Sequence, residues 1–264
     1  MKKTLFLATV ALLTASSALR AQEYKTKLSG ADRKIIIEMQ GGGMTVEGYD
    51  GDEVVIRGDG YEEPDKRAEG LHAVYNTAVD NTKMGLSVTK EGNTLRIVKA
   101  SRKDGNYTVR VPRKTDVVYR EANWNGGDVL MQNLEGHLEL TMKSSDAKLL
   151  NVRGPVVANN VSGDITVRYA GLGTEPSAIS VVSGDVDVTM PANTKASLTL
   201  CSVSGEVYTD FDLTLPQKAK DSSRQNFFGM NQIGGQTVNG TVNGGGATVS
   251  LKTVSGDIFV RKAK

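Results

Sequence analysis

The sequence predicts an all-β chain folded as a single-domain β-solenoid, a parallel β-helix-like repeat with short irregular insertions. Three observations carry that prediction. The unit Val161-Ser162-Gly163-Asp164-Ile165-Thr166-Val167 is rewritten at Val182–Val188, at Val203–Thr209 and at Val254–Val260. Gly127, Gly136, Ser145, Gly154 and Gly163 stand nine residues apart, and the spacing then widens to 21 residues at Gly184 and Gly205. In most copies the second and fourth residues after the glycine are apolar, while the residues between them vary. Such a period marks a solenoid, in which no unit buries its own apolar face and stacking makes the core.

Residues 1–21 read as a secretory signal peptide. Lys2-Lys3 is a basic start, Leu5 to Leu13 is an apolar run too short to span a bilayer, and Leu19-Arg20-Ala21 offers a cleavage site before Gln22. Cys201 is the single cysteine and lies far from that site, so no lipid anchor is expected. The expectation is an exported chain with its folded domain at 22–264, periplasmic or at the cell surface, with no transmembrane segment after processing. Removal of 1–21 takes away Lys2, Lys3 and Arg20 and no acid, lowering the formal net charge from +2 to −1. A near-neutral chain has no global basic field for nucleic acid. The run from Lys99 to Arg113 is dense in Lys and Arg and reads as a solvated strand edge. One cysteine makes no intramolecular disulfide, so the core alone stabilises the fold. With 29 Gly and only 5% aromatic residues, that core is narrow and aliphatic.

Taken in order, residues 34–39, 44–47 and 53–57 alternate as strands, separated by Gly41-Gly42-Gly43 and Tyr49-Asp50-Gly51-Asp52, which supply turn conformations. An insertion at 59–80 breaks the rhythm; Pro64 followed by charged helix formers predicts a short helix or ordered loop. Strands resume at 86–88, 94–98 and 107–111. From about residue 115 the repeat takes over. Val129 and Met131, Ile165 and Val167, Val186 and Val188, and Ile258 and Val260 form one inward stripe. Val156 and Ala158, Leu198 and Leu200, and Val249 and Leu251 form a second, ahead of the glycine. Each unit is therefore strand, Ser-Gly-Asp corner, strand, with variable outward residues Leu130, Glu139, Thr166, Asp187, Tyr208 and Phe259. A second insertion at 216–237 surrounds Phe227-Phe228 with polar residues.

Candidate chemistry is sparse. Asp128, Asp164, Asp185, Glu206 and Asp257 follow the glycine and could stack as an acidic ladder for calcium or for acid–base work on polysaccharide. The calcium nonapeptide Gly-Gly-x-Gly-x-Asp is absent, and His137, Ala147 and Pro155 take the place in other copies, which favours corner chemistry through side chain to backbone hydrogen bonds. His72 and His137 lack partners at metal-ligand spacing. Cys201 aligns with Asn159, Ser180 and Lys252 on the outer face, without an activating base. Trp124, Phe227 and Phe228 read as caps over a solenoid end. No catalytic, metal or cofactor-binding residues and no cofactor are expected.

The chain resembles a family of exported bacterial β-strand-repeat proteins called putative adhesins, whose domain is one of unknown function. The resemblance rests on Gly48-Tyr49-Asp50-Gly51-Asp52-Glu53-Val54, on Asp80-Asn81-Thr82 with Gly85-Leu86, on the Ser-Gly-Asp corners, and on Asn243-Gly244-Gly245-Gly246-Ala247 leading to Thr253-Val254-Ser255-Gly256-Asp257-Ile258. It implies a β-helix-like fold and adhesion to a glycan or to another envelope or surface protein. The leading expectation is thus a non-enzymatic envelope or surface protein. Two alternatives stand beside it. One is a self-assembling scaffold stacked end to end, because the array closes at Val260 with little beyond to cover it; the other is a polysaccharide-active β-helix enzyme.

Overall fold

A computed structural model of the chain describes residues 22–28, 30–59, 65–71, 74, 78–215 and 236–264. Among these residues eight coils each place one strand in a back sheet and the next in a front sheet. In chain order the coils are β2 (Lys34–Met39) with β3 (Gly42–Tyr49), β6 (Thr94–Lys99) with β7 (Asn106–Pro112), β8 (Asp116–Glu121) with β9 (Gly126–Gln132), and β10 (Leu138–Met142) with β11 (Ala147–Val152). They continue with β12 (Val156–Ser162) and β13 (Ile165–Tyr169), β14 (Ser177–Ser183) and β15 (Val186–Met190), β16 (Ala196–Ser204) and β17 (Val207–Thr209), and β19 (Ala247–Ser255) and β20 (Ile258–Lys262). Coil strands pair in parallel, as in β10 to β12, where Leu138 faces Val156. Four more strands, β1 (Glu23–Lys27), β4 (Glu53–Asp59), β5 (Leu86–Glu91) and β18 (Gln236–Val242), pair antiparallel and cap the stack.

The inward stripes hold as expected. Val129, Met131, Val156, Ala158, Ile165, Val167, Leu198, Leu200, Ile258 and Val260 are all buried in one continuous core. Each such buried aliphatic side chain contributes about 1.5–3 kcal/mol, so a coil with four of them is held by its neighbours rather than by itself.

The order of coils in the stack is not the order in the chain. The β6–β7 coil lies outside the β2–β3 coil, and the β19–β20 coil slides between β14–β15 and β16–β17. The final copy, Val254 to Val260, is therefore internal. The expected bare coil at Val260 is not there. The end coil is β16–β17, and it is closed: β18 lies antiparallel along β16, Phe211 is buried across the core end, and Thr214 exchanges backbone hydrogen bonds with Thr241.

The corners follow one rule. The Oδ1 of Asp146 accepts the backbone N–H of Asp164 at 2.9 Å, Asp164 that of Asp185 at 2.8 Å, Asp185 that of Asp257 at 2.7 Å, and Asp257 that of Glu206 at 2.8 Å. Carboxylates that accept backbone N–H groups in this way are structural. The place expected for Ala147 is taken by Asp146, the residue that directly follows Ser145. The glycines beside these carboxylates approach each other backbone to backbone. Gly184 has φ +145°, and a Cβ there would land 2.3 Å from the carbonyl oxygen of Gly163, which only glycine tolerates. Ser145 replaces glycine at one corner, and its hydroxyl donates to the buried Glu121 carboxylate at 2.7 Å.

Several expectations change. The valine of the repeated Val-Ser-Gly unit, apolar in every copy as a core residue would be, lies outside the core: Val161, Val182, Val203 and Val254 are 40–47% exposed. Strand alternation explains this, because Asn160, Val181, Ser202 and Thr253 take the inward place next to them. The four valines form a cross-strand row of β-branched side chains. Lys99 is buried rather than solvated; its ammonium donates to the carbonyl of Lys103 and to the Tyr107 hydroxyl. Trp124 is 60% exposed at the turn between β8 and β9 and caps nothing. Among the described residues of the first insertion, Lys66–Ala68 make a 3-10 turn with Asp65 as its cap. Asp80-Asn81-Thr82 then closes the back-sheet edge, where the Asn81 amide both donates to Val88 O and accepts from Val88 N at 2.9 Å. Of the second insertion, Gln236 and Thr237 already belong to β18. The signal peptide at 1–21, His72, and Phe227-Phe228 lie outside the described residues.

If the carboxylate ladder holds the corners, Asp185→Ala lowers unfolding free energy by about 1–2 kcal/mol in urea denaturation, whereas Asp185→Asn, which keeps Oδ1, costs much less. Equal losses for the two variants would show that the hydrogen bond contributes nothing.

Candidate binding face on the front sheet

Parallel in-register pairing turns a repeated outward position into a straight row. Leu130, Lys148, Thr166, Asp187, Phe259 and Tyr208 follow one another across β9, β11, β13, β15, β20 and β17. Five of the six variable residues singled out by the sequence thus share one face. Glu139 lies in the back sheet instead, 3.9 Å from Arg120. The next row carries Arg168, Thr189 and Arg261.

The end of this face is the most chemically loaded part. The Tyr208 and Phe259 rings stack with centroids 5.3 Å apart and planes 11° apart. The Arg261 guanidinium lies 4.8 Å from the Phe259 centroid, and its Nε donates to Asp187 at 3.1 Å. The side chains of Arg261 and Asp187 stay 51% and 34% exposed, so the pair adds little stability and remains open to a ligand. Beside it Lys262 sits 5.5 Å from the Phe211 ring centroid and 3.6 Å from Asp212, and its backbone N–H donates to Asp210. A shallow depression of about 410 Å³ runs between Tyr208, Asp210, Phe259, Arg261 and Lys264. Arg261, Lys262 and Phe211 were missed in the sequence. They fall just outside the repeated unit; strand alternation already sets Arg261, two residues after Phe259, on the same face, whereas Phe211 and Lys262 are brought together by the fold.

A larger crevice of about 770 Å³ opens where the 191–195 turn steps over the inserted β19, between Leu172, Pro176, Pro191, Lys195 and Thr248. Its walls hold one cation and no aromatic ring, so it offers fewer specific contacts than the front face.

Groups with shifted acidity lie elsewhere. Burial pushes the Tyr169 phenol up to about 12 and raises Tyr119 further, while burial lowers Lys99. These are core groups. Cys201 is half-buried in β16, beside Lys252, with Ser180 and Asn159 on successive strands, as its alignment implied. Among the described residues no three His, Cys, Asp or Glu side chains are grouped to hold a metal ion. His137 lies at a turn where its backbone N–H donates to Asp116. An aromatic pair flanked by an arginine–aspartate pair can stack on an apolar sugar face or side chain and hydrogen-bond its polar edge.

Residues 123–261 match the family described as Toastrack DUF4097. No curated protein matches the chain. Among solved structures, a putative cell adhesion protein from Clostridium sporogenes is similar at 9% identity and TM-score 0.44, with 92% of this chain and 100% of that one covered. A putative adhesin from Bacteroides fragilis is similar at 13% identity and TM-score 0.41, with 91% and 96% covered.

The ring stack makes its own prediction. A double-mutant cycle of Tyr208→Ala and Phe259→Ala, read by chemical denaturation, gives a coupling of about 0.5–1.5 kcal/mol. Additive losses would mean that the rings merely lie near each other.

Proposed function

We propose, from the premise that the chain belongs to the Toastrack DUF4097 family, that it is a non-enzymatic exported protein of the cell envelope or surface, presenting the front face of its solenoid to a glycan or protein partner. The observation that carries this reading is the half-exposed Tyr208–Phe259 stack with Arg261 and Asp187 at its side. Aromatic and arginine side chains held rigidly on a sheet bind at low entropic cost. The signal-like residues 1–21 support export. Among the described residues no helix is long and apolar enough to cross a membrane.

Two experiments test the proposal. Glycan arrays and pull-downs with purified protein find a partner whose affinity falls about ten-fold or more in Tyr208→Ala or Phe259→Ala, the loss expected of an interface hot spot. No partner above background, or binding indifferent to both changes, contradicts the proposal. Protease treatment of intact cells and of cells with a permeabilised outer layer places the protein; protection from protease under both conditions contradicts export.

A further inference from the structure

Each coil of the stack holds the next by the same few bonds along the front sheet. The acid at the corner accepts the next acid's backbone N–H, as Asp257 accepts that of Glu206. The amide after the acid donates to the next acid's carbonyl, as Ile258 donates to Glu206 at 2.9 Å. Two residues on, the direction reverses, and Asp210 donates back to Val260. The series stops at β17, the last strand of the front sheet.

That strand is a rung without a successor. Glu206 turns its carbonyl, and Asp210 its N–H, toward β20, so the N–H and C=O groups of Val207 and Thr209 point out at the sheet edge. The Glu206 carboxylate stands where each earlier aspartate takes the next N–H, and among the described residues nothing fills that place. With the Val207 N–H it is set to meet both the N–H and the C=O of one further residue. Tyr208 stacks on Phe259 by one ring face and stays 50% exposed. The other sheet edges are occupied: Asn81 lies along β5, Thr214 bonds to β18, and Lys90 donates to the Lys27 carbonyl of β1 at 2.6 Å. β17 has no such cover among the described residues.

These groups define what fits. Backbone donors and acceptors that alternate at strand spacing are met by an extended polypeptide, whereas a glycan carries no such series. The rungs run parallel, so the segment runs parallel to β17. Its residue over Tyr208 is aromatic, continuing the ring stack. Two positions on lies Asp210, exposed and bonded through one oxygen to the Lys262 amide, which favours a lysine or arginine beside it. After Asp210 the chain turns inward to the buried Phe211, so the added strand is as short as β17 itself. A second copy does not serve as a two-fold partner. Antiparallel pairing of β17 with itself about Tyr208 sets Glu206 against Asp210, and like charges directly opposite are destabilising.

We infer that β17 is a docking edge for an extended segment of a partner protein, which adds a parallel strand to the front sheet, stacks an aromatic side chain on Tyr208 and sets a cationic one beside Asp210. This rests on the front-face reading above and names the partner's chemistry. The chain's own β20 already displays the required pattern, with Phe259 beside Tyr208 and Arg261 two residues later.

Fluorescence anisotropy with two labelled peptides and the full chain tests the edge. The probe copies residues 255–262, Ser-Gly-Asp-Ile-Phe-Val-Arg-Lys, and the control copies 183–190, Ser-Gly-Asp-Val-Asp-Val-Thr-Met. The probe binds, and the control, which lacks the ring and the cation, binds about ten-fold more weakly or not at all. Methylating the probe's Phe nitrogen, whose N–H meets the Val207 carbonyl, weakens binding about ten-fold. Methylating its Ile nitrogen, which points away from β17, leaves binding unchanged. Thr209→Pro removes an edge N–H and, with the ring stack preserved by near-ultraviolet circular dichroism, weakens binding likewise. No binding of the probe, equal binding of both peptides, or equal losses on methylation at either nitrogen overturns the inference. A glycan or protein whose affinity falls in Tyr208→Ala but not in Thr209→Pro also overturns it, while leaving the proposed face in place.

Discussion

The rest of the structure depends on the close approach of backbones at the Gly-Asp corners. The glycine of one coil lies against the carbonyl of the glycine below, as Gly256 lies on Gly184. The aspartate of one coil holds the N–H of the acid in the next, as Asp185 holds Asp257. Together these fix the coils in register. Register then decides everything else, because a slip of one residue would turn Val186 and Val188 out to water and bring Asp187 into the core. Of the carboxylates that sequence reasoning weighed as a metal or catalytic ladder, those of Asp164, Asp185 and Asp257 are occupied in making the stack.

Register also converts repetition into a surface. A residue free to vary at one position of each coil becomes a row across the front sheet, and the chain uses the last places of that row for Phe259 and Tyr208. The proposed binding residues lie where the repeat is least regular. The same holds at the ends, where β1, β4, β5 and β18 leave the coil pattern and cover edges. Edge strands invite uncontrolled pairing; here the back sheet is closed by Asn81 and Thr214, and the front sheet ends in the three-residue β17 with acids about it.

Much of the fold was legible because period and alternation report directly on burial. The stripes at Val156 and Ala158 and at Ile258 and Val260 needed no structure to assign. The order of coils was not legible. Copies that are nearly interchangeable in sequence carry no mark of which neighbour they stack on, so the insertion of Val254–Val260 between earlier copies left no local signal. Lys99 was misread because its neighbours are charged, while its own partners, Lys103 O and Tyr107, lie across a turn and one strand away. At the candidate face, Asp187, Tyr208 and Phe259 were named as outward residues, and alternation along β20 sets Arg261 on the same face as Phe259; what the repeat did not show is its pairing with Asp187, on an adjacent strand 74 residues away.

The out-of-order stack is the claim on which the capped ends and the placement of Phe259 beside Tyr208 both rest. Cys201 tests it directly. Its partner across the sheet is Lys252, and Ser180 lies one strand further on. Adjacent strands lie about 4.8 Å apart, within disulfide reach, and strands two apart lie beyond it. Under mild oxidation Lys252→Cys gives an intramolecular disulfide with Cys201, read by mass spectrometry of the unreduced digest, and Ser180→Cys gives none. A disulfide in Ser180→Cys and none in Lys252→Cys would mean that the coils stack in chain order, and the account would fail.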